Sequence, residues 1–174
     1  MSDPGITVRI ATADDVGTLA AIGSASFEGA YGGTATADDL LAHLDEFFGA
    51  AAVAKEIRAA GTVYLIASAA GQPAGFAKIR DSETPAAVPA RAVLELQQVY
   101  VSPDAQRGGV GGHLIRAASD YAKQLSAEGL WLSVWEEADW AINAYKKHGF
   151  VVVGEAEFRL GTTHYSDLLM WLPV

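Results

Sequence analysis

The stretch of this chain best suited to hold an anion is Gln106-Arg107-Gly108-Gly109-Val110-Gly111-Gly112-His113. Before it lie Leu94 to Val101, whose β-branched and alternating residues predict a strand, and a Ser102-Pro103-Asp104 turn. After it, Leu114, Ile115, Ala118, Tyr121, Ala122 and Leu125 recur at helical spacing. The glycines therefore fall where a strand gives way to a helix. The first amides of a helix have no internal acceptor, and the helix dipole places partial positive charge there. Glycines let a phosphate approach those amides, and Arg107 adds a formal charge. The expected chemistry is that of a pyrophosphate cradle; the glycine spacing alone also describes an ordinary turn. No Gly-Lys-Ser/Thr follows, so this is not a P-loop, and the third glycine of a dinucleotide fingerprint is missing. A second candidate is Glu95, a carboxylate in an otherwise apolar strand, costly to bury without partners.

The rest of the chain must position these groups. At 174 residues it is read as one domain, 1–174, large enough to bury a core. It has no cysteine, which excludes disulfides, cysteine-zinc sites and a cysteinyl acyl-enzyme. No histidine pair has ligand spacing, so no metal is expected. The net charge of −9 argues against a nucleic-acid partner and suits steering of cationic substrates. Its apolar runs are too short to cross a bilayer, and Met1 to Ile6 carry no leader signature, so a cytoplasmic location is expected, without a membrane partner.

In chain order, Ile6 to Ile10 predict a strand, and Thr12 with Asp15 a capping box opening a helix through Val16, Leu19, Ala20 and Ile22. Phe27 to Gly33 read as a mobile glycine-rich loop. Thr36 caps a second helix with Leu40, Leu41, Leu44, Phe47 and Phe48 on its apolar face, continuing helical from Ala50 to Ala60. Two strands, 62–69 and 74–81, form a hairpin around Gly71-Gln72-Pro73; 82–91 is a loop. After the cradle and its helix, which Gly129 ends, come a strand over Leu130–Trp135, a helix from Glu136 to His148, and closing strands over 151–158 and 165–171. The predicted order is β-α-α-β-β-β-α-β-α-β-β.

That order, with Gln106-x-x-Gly109-x-Gly111 and Ala141-Ile142-x-Ala144-Tyr145-x-x-x-Gly149-Phe150, resembles the GNAT superfamily of N-acyltransferases. The resemblance spans nearly the whole chain and is strongest from Leu94 to Pro173. The tail, Phe158-x-Leu160-Gly161 followed by Asp167-Leu168-Leu169-Met170, is similar to a bacterial branch that includes spermidine/spermine acetyltransferases. The resemblance implies an α/β fold with a central mixed, mostly antiparallel sheet flanked by helices. It implies acetyl-CoA as co-substrate, bound by Gln106, Arg107, Gly108, Gly109, Val110, Gly111, Gly112 and His113. The backbone of Val99, Tyr100 and Val101 pairs with the pantetheine arm, in a slot opened by a splay from Leu130–Trp135.

By the same resemblance, Tyr145 protonates the departing thiolate and Glu95 is the base, directly or through water; the alternatives are a packed tyrosine, and a Glu that faces solvent or is bound to a structural Arg. Phe27, Glu28 and Tyr31, on the segment after the first helix, and Trp135 line the acceptor side, where His164 and Asp167 are further candidates. His43 and His148 read as surface or capping residues. Where the family often carries an Asn that contacts the cofactor, this chain has Ala138. The implied activity is acetyl transfer to a primary amine of a small cationic acceptor, a polyamine among the candidates, by direct attack in a ternary complex. The competing expectations are acetylation of a protein or peptide N-terminus, and a non-catalytic acyl-CoA-binding module. A strand-mediated homodimer is also common in the family.

Overall fold

The computed structural model describes residues 5–174; Met1 to Pro4, on which part of the leader reading rests, lie outside them. Seven strands form one sheet: β1 (Thr7–Ile10), β2 (Thr62–Ala69), β3 (Gln72–Arg80), β4 (Val93–Val101), β5 (Gly129–Trp135), β6 (Val151–Leu160) and β7 (Thr163–Pro173). Their spatial order is β1-β2-β3-β4-β5-β7-β6. Every neighbouring pair is antiparallel except β4–β5. The helices are α1 (Val16–Tyr31), α2 (Ala37–Phe48), α3 (Ala50–Glu56), α4 (Val110–Gln124) and α5 (Asp139–Lys147).

Alternation along the strands fills two layers. On one face Leu65, Ala77, Ile79, Leu96, Leu130, Leu132 and Met170 pack with Leu114, Ile115, Ala118 and Ala122 of α4 and Ile142 of α5. On the other, Tyr64, Ile66 and Phe76 pack with Leu19 and Ile22 of α1, while Phe27, Leu40 and Phe48 join Leu160 and Tyr165. Covering on both sides explains why the central strands read as nearly continuous apolar runs. The capping box at Thr12 and Asp15 forms, and Arg9 grips the same carboxylate through two hydrogen bonds of 2.8 Å.

Four expectations need correction. The expected loop from Phe27 is the last turn of α1, which Gly32 caps. Phe27 and Tyr31, one turn apart, stack at 4.5 Å, and Phe27 is buried against Leu40 and Phe48, so tertiary packing overrides the low helix propensity of Gly29. The second helix does not continue through Ala50: Gly49 adopts an extended ψ of 147° and separates α2 from α3. On α2, Leu40 and Phe48 are buried, but Leu41 and Phe47 face solvent. Gly129 opens β5 rather than ending α4, which stops near Leu125.

The parallel pair β4–β5 shapes the site. It runs for three rungs only: Val93–Gly129, Leu94–Leu130 and Glu95–Trp131. Beyond Glu95, β4 stays with β3 as far as Val101, and β5 stays with β7 as far as Trp135. A register shift pairs Lys78 with Gln98 but Ile79 with Leu96, leaving Gln97 as an extra residue on β4. Such a bulge bends its strand and increases its twist. It falls where β4 leaves β5, and the sheet opens into a wedge there.

The first rung needs glycine. A Cβ on Gly129 would collide with the Leu172 carbonyl and the Trp171 indole. Gly129→Ala is expected to lower stability by about 1–3 kcal/mol through overpacking, read as a reduced urea midpoint. An unchanged midpoint would contradict this packing.

Candidate active site

The cradle lies at the mouth of the wedge. Arg107 and Gly109 take left-handed φ values of 66° and 87°, turning the chain sharply into α4. The first α-helical bond is His113 N–H to the Gly109 carbonyl, 3.2 Å. The amides of Val110, Gly111 and Gly112 precede it and have no acceptor within the helix. The loop is open: Gln106, Arg107, Gly108 and Gly109 are exposed. A Cβ on Gly109 would meet only Ile6, at 4.0 Å, and one on Gly111 only Val101, at 3.7 Å. The residues thus fit a diphosphate. The side chain of Val110 does the opposite work: it is buried in the core and fixes the helix start, leaving only its backbone for a ligand. His113 Nδ1 is 3.1 Å from the Gly109 carbonyl.

His148 is more than a bland capping residue. Its Nε2 stands 3.2 Å from where a Gly112 Cβ would lie, so its ring covers one side of the helix start. Burial, reinforced by Arg116, lowers its pKa and favours the neutral imidazole.

Inside the wedge, the side chains of Val99 and Val101 pack toward α4, and Tyr100 packs toward Phe48 and Phe76. All three spend their side chains on packing, and the backbone edge of β4 has no strand partner on the wedge side. The Val101 carbonyl accepts Ser26 Oγ at 3.2 Å, and Gln106 Nε2 lies at 3.5 Å from it. At the bulge, Gln97 Oε1 is buried without a hydrogen-bond partner.

Tyr145, on α5, packs with the α4-side core and meets Phe150 edge-on at 5.5 Å. Tyr145 sits on the helix that follows β5, the strand bordering the opening. Burial pushes its pKa up to about 12, so it stays protonated at neutral pH.

Glu95 occupies the last closed rung. It is 7% exposed, and its Oε2 accepts from Arg80 Nε of the neighbouring strand. The chain thus places a structural Arg on this carboxylate, while Lys78 pairs separately with Glu56 at 2.6 Å. Ala138 is buried at the start of α5 and presents no polar group.

The acceptor side is aromatic. Tyr31 lies 5.5 Å from Trp135 and 5.4 Å from Tyr165, and Trp135 meets Tyr165 edge-on at 5.7 Å. The Tyr165 hydroxyl bonds Thr34 Oγ1 at 2.8 Å. Asp167 is on this face, hydrogen-bonded by Ser133 Oγ at 2.6 Å. Three expected residues are not part of it. Phe27 is 3% exposed, sandwiched between Tyr31 and His43. Glu28 is exposed on α1 and is not brought together with the aromatic group. His164 alternates to the other face and pairs with Glu157. His43, expected at the surface, is half-buried in the aromatic stack, and burial lowers its pKa. Sequence reading missed Tyr165 and Ser133. Period-two spacing along 131–135 and 165–171 was the available signal, but only the strand register makes it a site.

Comparison with known proteins agrees with this geometry. Residues 24–150 match the model of the acetyltransferase (GNAT) family. An N-acetyltransferase of the pepI 3′ region in Lactobacillus delbrueckii subsp. lactis is 25% identical over 168 residues, 95% of this chain and 96% of that protein. Streptothricin acetyltransferase of Streptomyces lavendulae is 32% identical over 91 residues, 52% of this chain and 45% of that one. Among solved structures, the PaiA N-acetyltransferase of Thermoplasma acidophilum, in complex with coenzyme A, superposes with a TM-score of 0.78 over 100% of both chains at 20% identity. With its wedge, its open helix start and a family match across well over half its length, the chain belongs to the GNAT acetyltransferase family.

Proposed function

We propose that this N-acetyltransferase, working as one catalytic domain over residues 1–174, moves an acetyl group from acetyl-CoA to the primary amine of a small cationic acceptor. Polyamines are the class to test first. One observation carries the reading: β4 and β5 part directly after Glu95, and Tyr145 lies on α5, the helix that follows β5. An open helix start at Val110–Gly112 lies at the end of the same strand. The net charge of −9 and the cluster of aromatic rings around Tyr31 and Trp135 favour a small cation over a peptide.

In this reading the amides at Val110, Gly111 and Gly112, with Arg107, hold the diphosphate, and Gln106, Gly108, Gly109 and His113 shape the turn around it. The free edge of β4 at Val99–Val101 pairs with the pantetheine arm as an added strand would. Its N–H groups polarise the thioester carbonyl. The neutral amine attacks that carbon, the C–S bond breaks, and Tyr145 gives its proton to the departing thiolate. The proton lost by the amine passes through water to Glu95. Arg80 holds this carboxylate in place and leaves its second oxygen for that task. Tyr31 and Trp135 line the approach of the acceptor.

A screen of acetyl-CoA-dependent thiol release should show turnover with polyamines or other small cationic amines; turnover with peptides alone would overturn the acceptor class. Tyr145→Phe should lower kcat by about a hundredfold or more while leaving acetyl-CoA affinity intact. Because burial raises this phenol, kcat should show no descending limb from Tyr145 near pH 10, the ordinary tyrosine value. A limb there that vanishes in Tyr145→Phe would contradict the environment described. Gly111→Glu fills open space with a like charge and should weaken acetyl-CoA binding at least about tenfold by calorimetry, with the melting temperature retained. Unchanged affinity would count against the cradle.

A further inference from the structure

We propose that Asp167 is the residue that recognises the acceptor: its unpaired carboxylate oxygen receives the ammonium group of a primary alkylamine whose carbon chain lies against Tyr31 and Trp135. This rests on the acceptor being an amine, and it names the residue that makes it one.

Asp167 is 8% exposed. Its Oδ2 accepts from Ser133 Oγ at 2.6 Å, but its Oδ1 is buried with no hydrogen-bond partner. A carboxylate taken from water without a countercharge is costly, and proteins normally pair such a group. Among the described residues no basic side chain pairs with it, and the charged neighbour beside it is Glu136, of the same sign. Burial first, then Glu136, raises its pKa, while the Ser133 hydrogen bond opposes the rise. Every one of these features would be relieved by a cation that also donates a hydrogen bond.

Its position selects the cation. Asp167 pairs with Trp135 across β5 and β7, and Ser133 lies two residues earlier on the same face of β5. That stretch of β5 borders the wedge, because its pairing with β4 ends at Trp131. Ser133 is exposed, so the pair is approached from the Ser133 side, while Oδ1 itself is covered. The rings of Tyr31, Trp135 and Tyr165 meet one another at 5.4–5.7 Å on this side. Aromatic faces attract alkylammonium groups and cover their methylenes. A single carboxylate with a hydroxyl suits an ammonium ion better than a divalent cation. Among the described residues no group of three His, Asp or Glu is placed to hold a metal.

The test compares the wild-type protein with Asp167→Asn, which keeps the side-chain shape and an oxygen for Ser133. With 1,4-diaminobutane as acceptor, one end held as the ammonium and the other free to attack, and saturating acetyl-CoA, kcat/KM should fall at least about tenfold, mainly through KM, with acetyl-CoA affinity unchanged. Ser133→Ala, which keeps the charge but loses its orientation, should give a smaller loss. Independently of turnover, n-butylammonium chloride titrated into the wild-type protein should shift the Trp135 indole N–H resonance and saturate. n-Butanol should bind at least about tenfold more weakly, a difference that Asp167→Asn abolishes. Equal affinity for the ammonium ion in both proteins, or for the ammonium and the alcohol in the wild type, overturns the assignment even if the Asn variant fails to fold. The two failures are distinguishable. Binding through Asp167 without CoA release from any amine sinks the transferase reading and leaves this one. Turnover with a KM shared by wild type and variant does the reverse.

Discussion

The structure turns on how briefly β4 and β5 can stay together. Three parallel rungs join the two halves of the sheet, and past Glu95 the two strands no longer pair. Parallel pairing requires both strands to keep one twist. The extra residue at Gln97 gives β4 a different one, while β3 still holds it by antiparallel pairing to Val101. On the other side β7 holds β5 along its whole length. Each strand is thus fastened by its outer neighbour, and the wedge persists as a consequence of regular pairing elsewhere. Unpaired backbone groups inside a fold are costly, so this edge is suited to a partner that supplies its own amides.

Around that opening the chain divides labour by face and by atom. Helix α4 anchors the sheet with Val110, Leu114, Ile115, Ala118 and Ala122, while its first turn offers bare backbone. Strand β4 buries its side chains on both faces and leaves its main chain to the wedge. Polar chemistry is confined to few positions, and the low dielectric around them makes each matter more. The phenols of Tyr31, Tyr100 and Tyr145 are all pushed up by burial and remain neutral donors.

Much of this was legible in the residues, and the boundary of legibility follows a physical line. The glycine-rich helix start could be read because its signal is local: glycines, a helix start and a preceding strand within one short stretch. The strands could be read because alternation is local too. The last turn of α1 could not, because Gly29 argues for a loop and only the contact of Phe27 and Tyr31 with α2 and β7 reverses it. The break at Gly49 sits between an amphipathic helical pattern that ends at Phe48 and an alanine run from Ala50, both of which favour helix. The Arg80 partner of Glu95 depends on a strand register that includes a bulge. Ser133 and Asp167 become a pair only when β5 and β7 align, and no spacing in sequence announces that alignment. Phe27 and Glu28 were expected at the acceptor side from their place after the first helix; a continuous helix turns one into the core and the other to solvent.

The central claim is that the unpaired amides at the start of α4 grip the diphosphate of the acyl carrier. Amide NMR spectra of the protein titrated with coenzyme A, and separately with S-acetylpantetheine, which lacks the diphosphate, test it directly. The account predicts large downfield shifts of the Val110, Gly111 and Gly112 amides with coenzyme A, and shifts confined to the β4 edge around Val99–Val101 with S-acetylpantetheine. Saturable coenzyme A binding that leaves those three amides unmoved would contradict it.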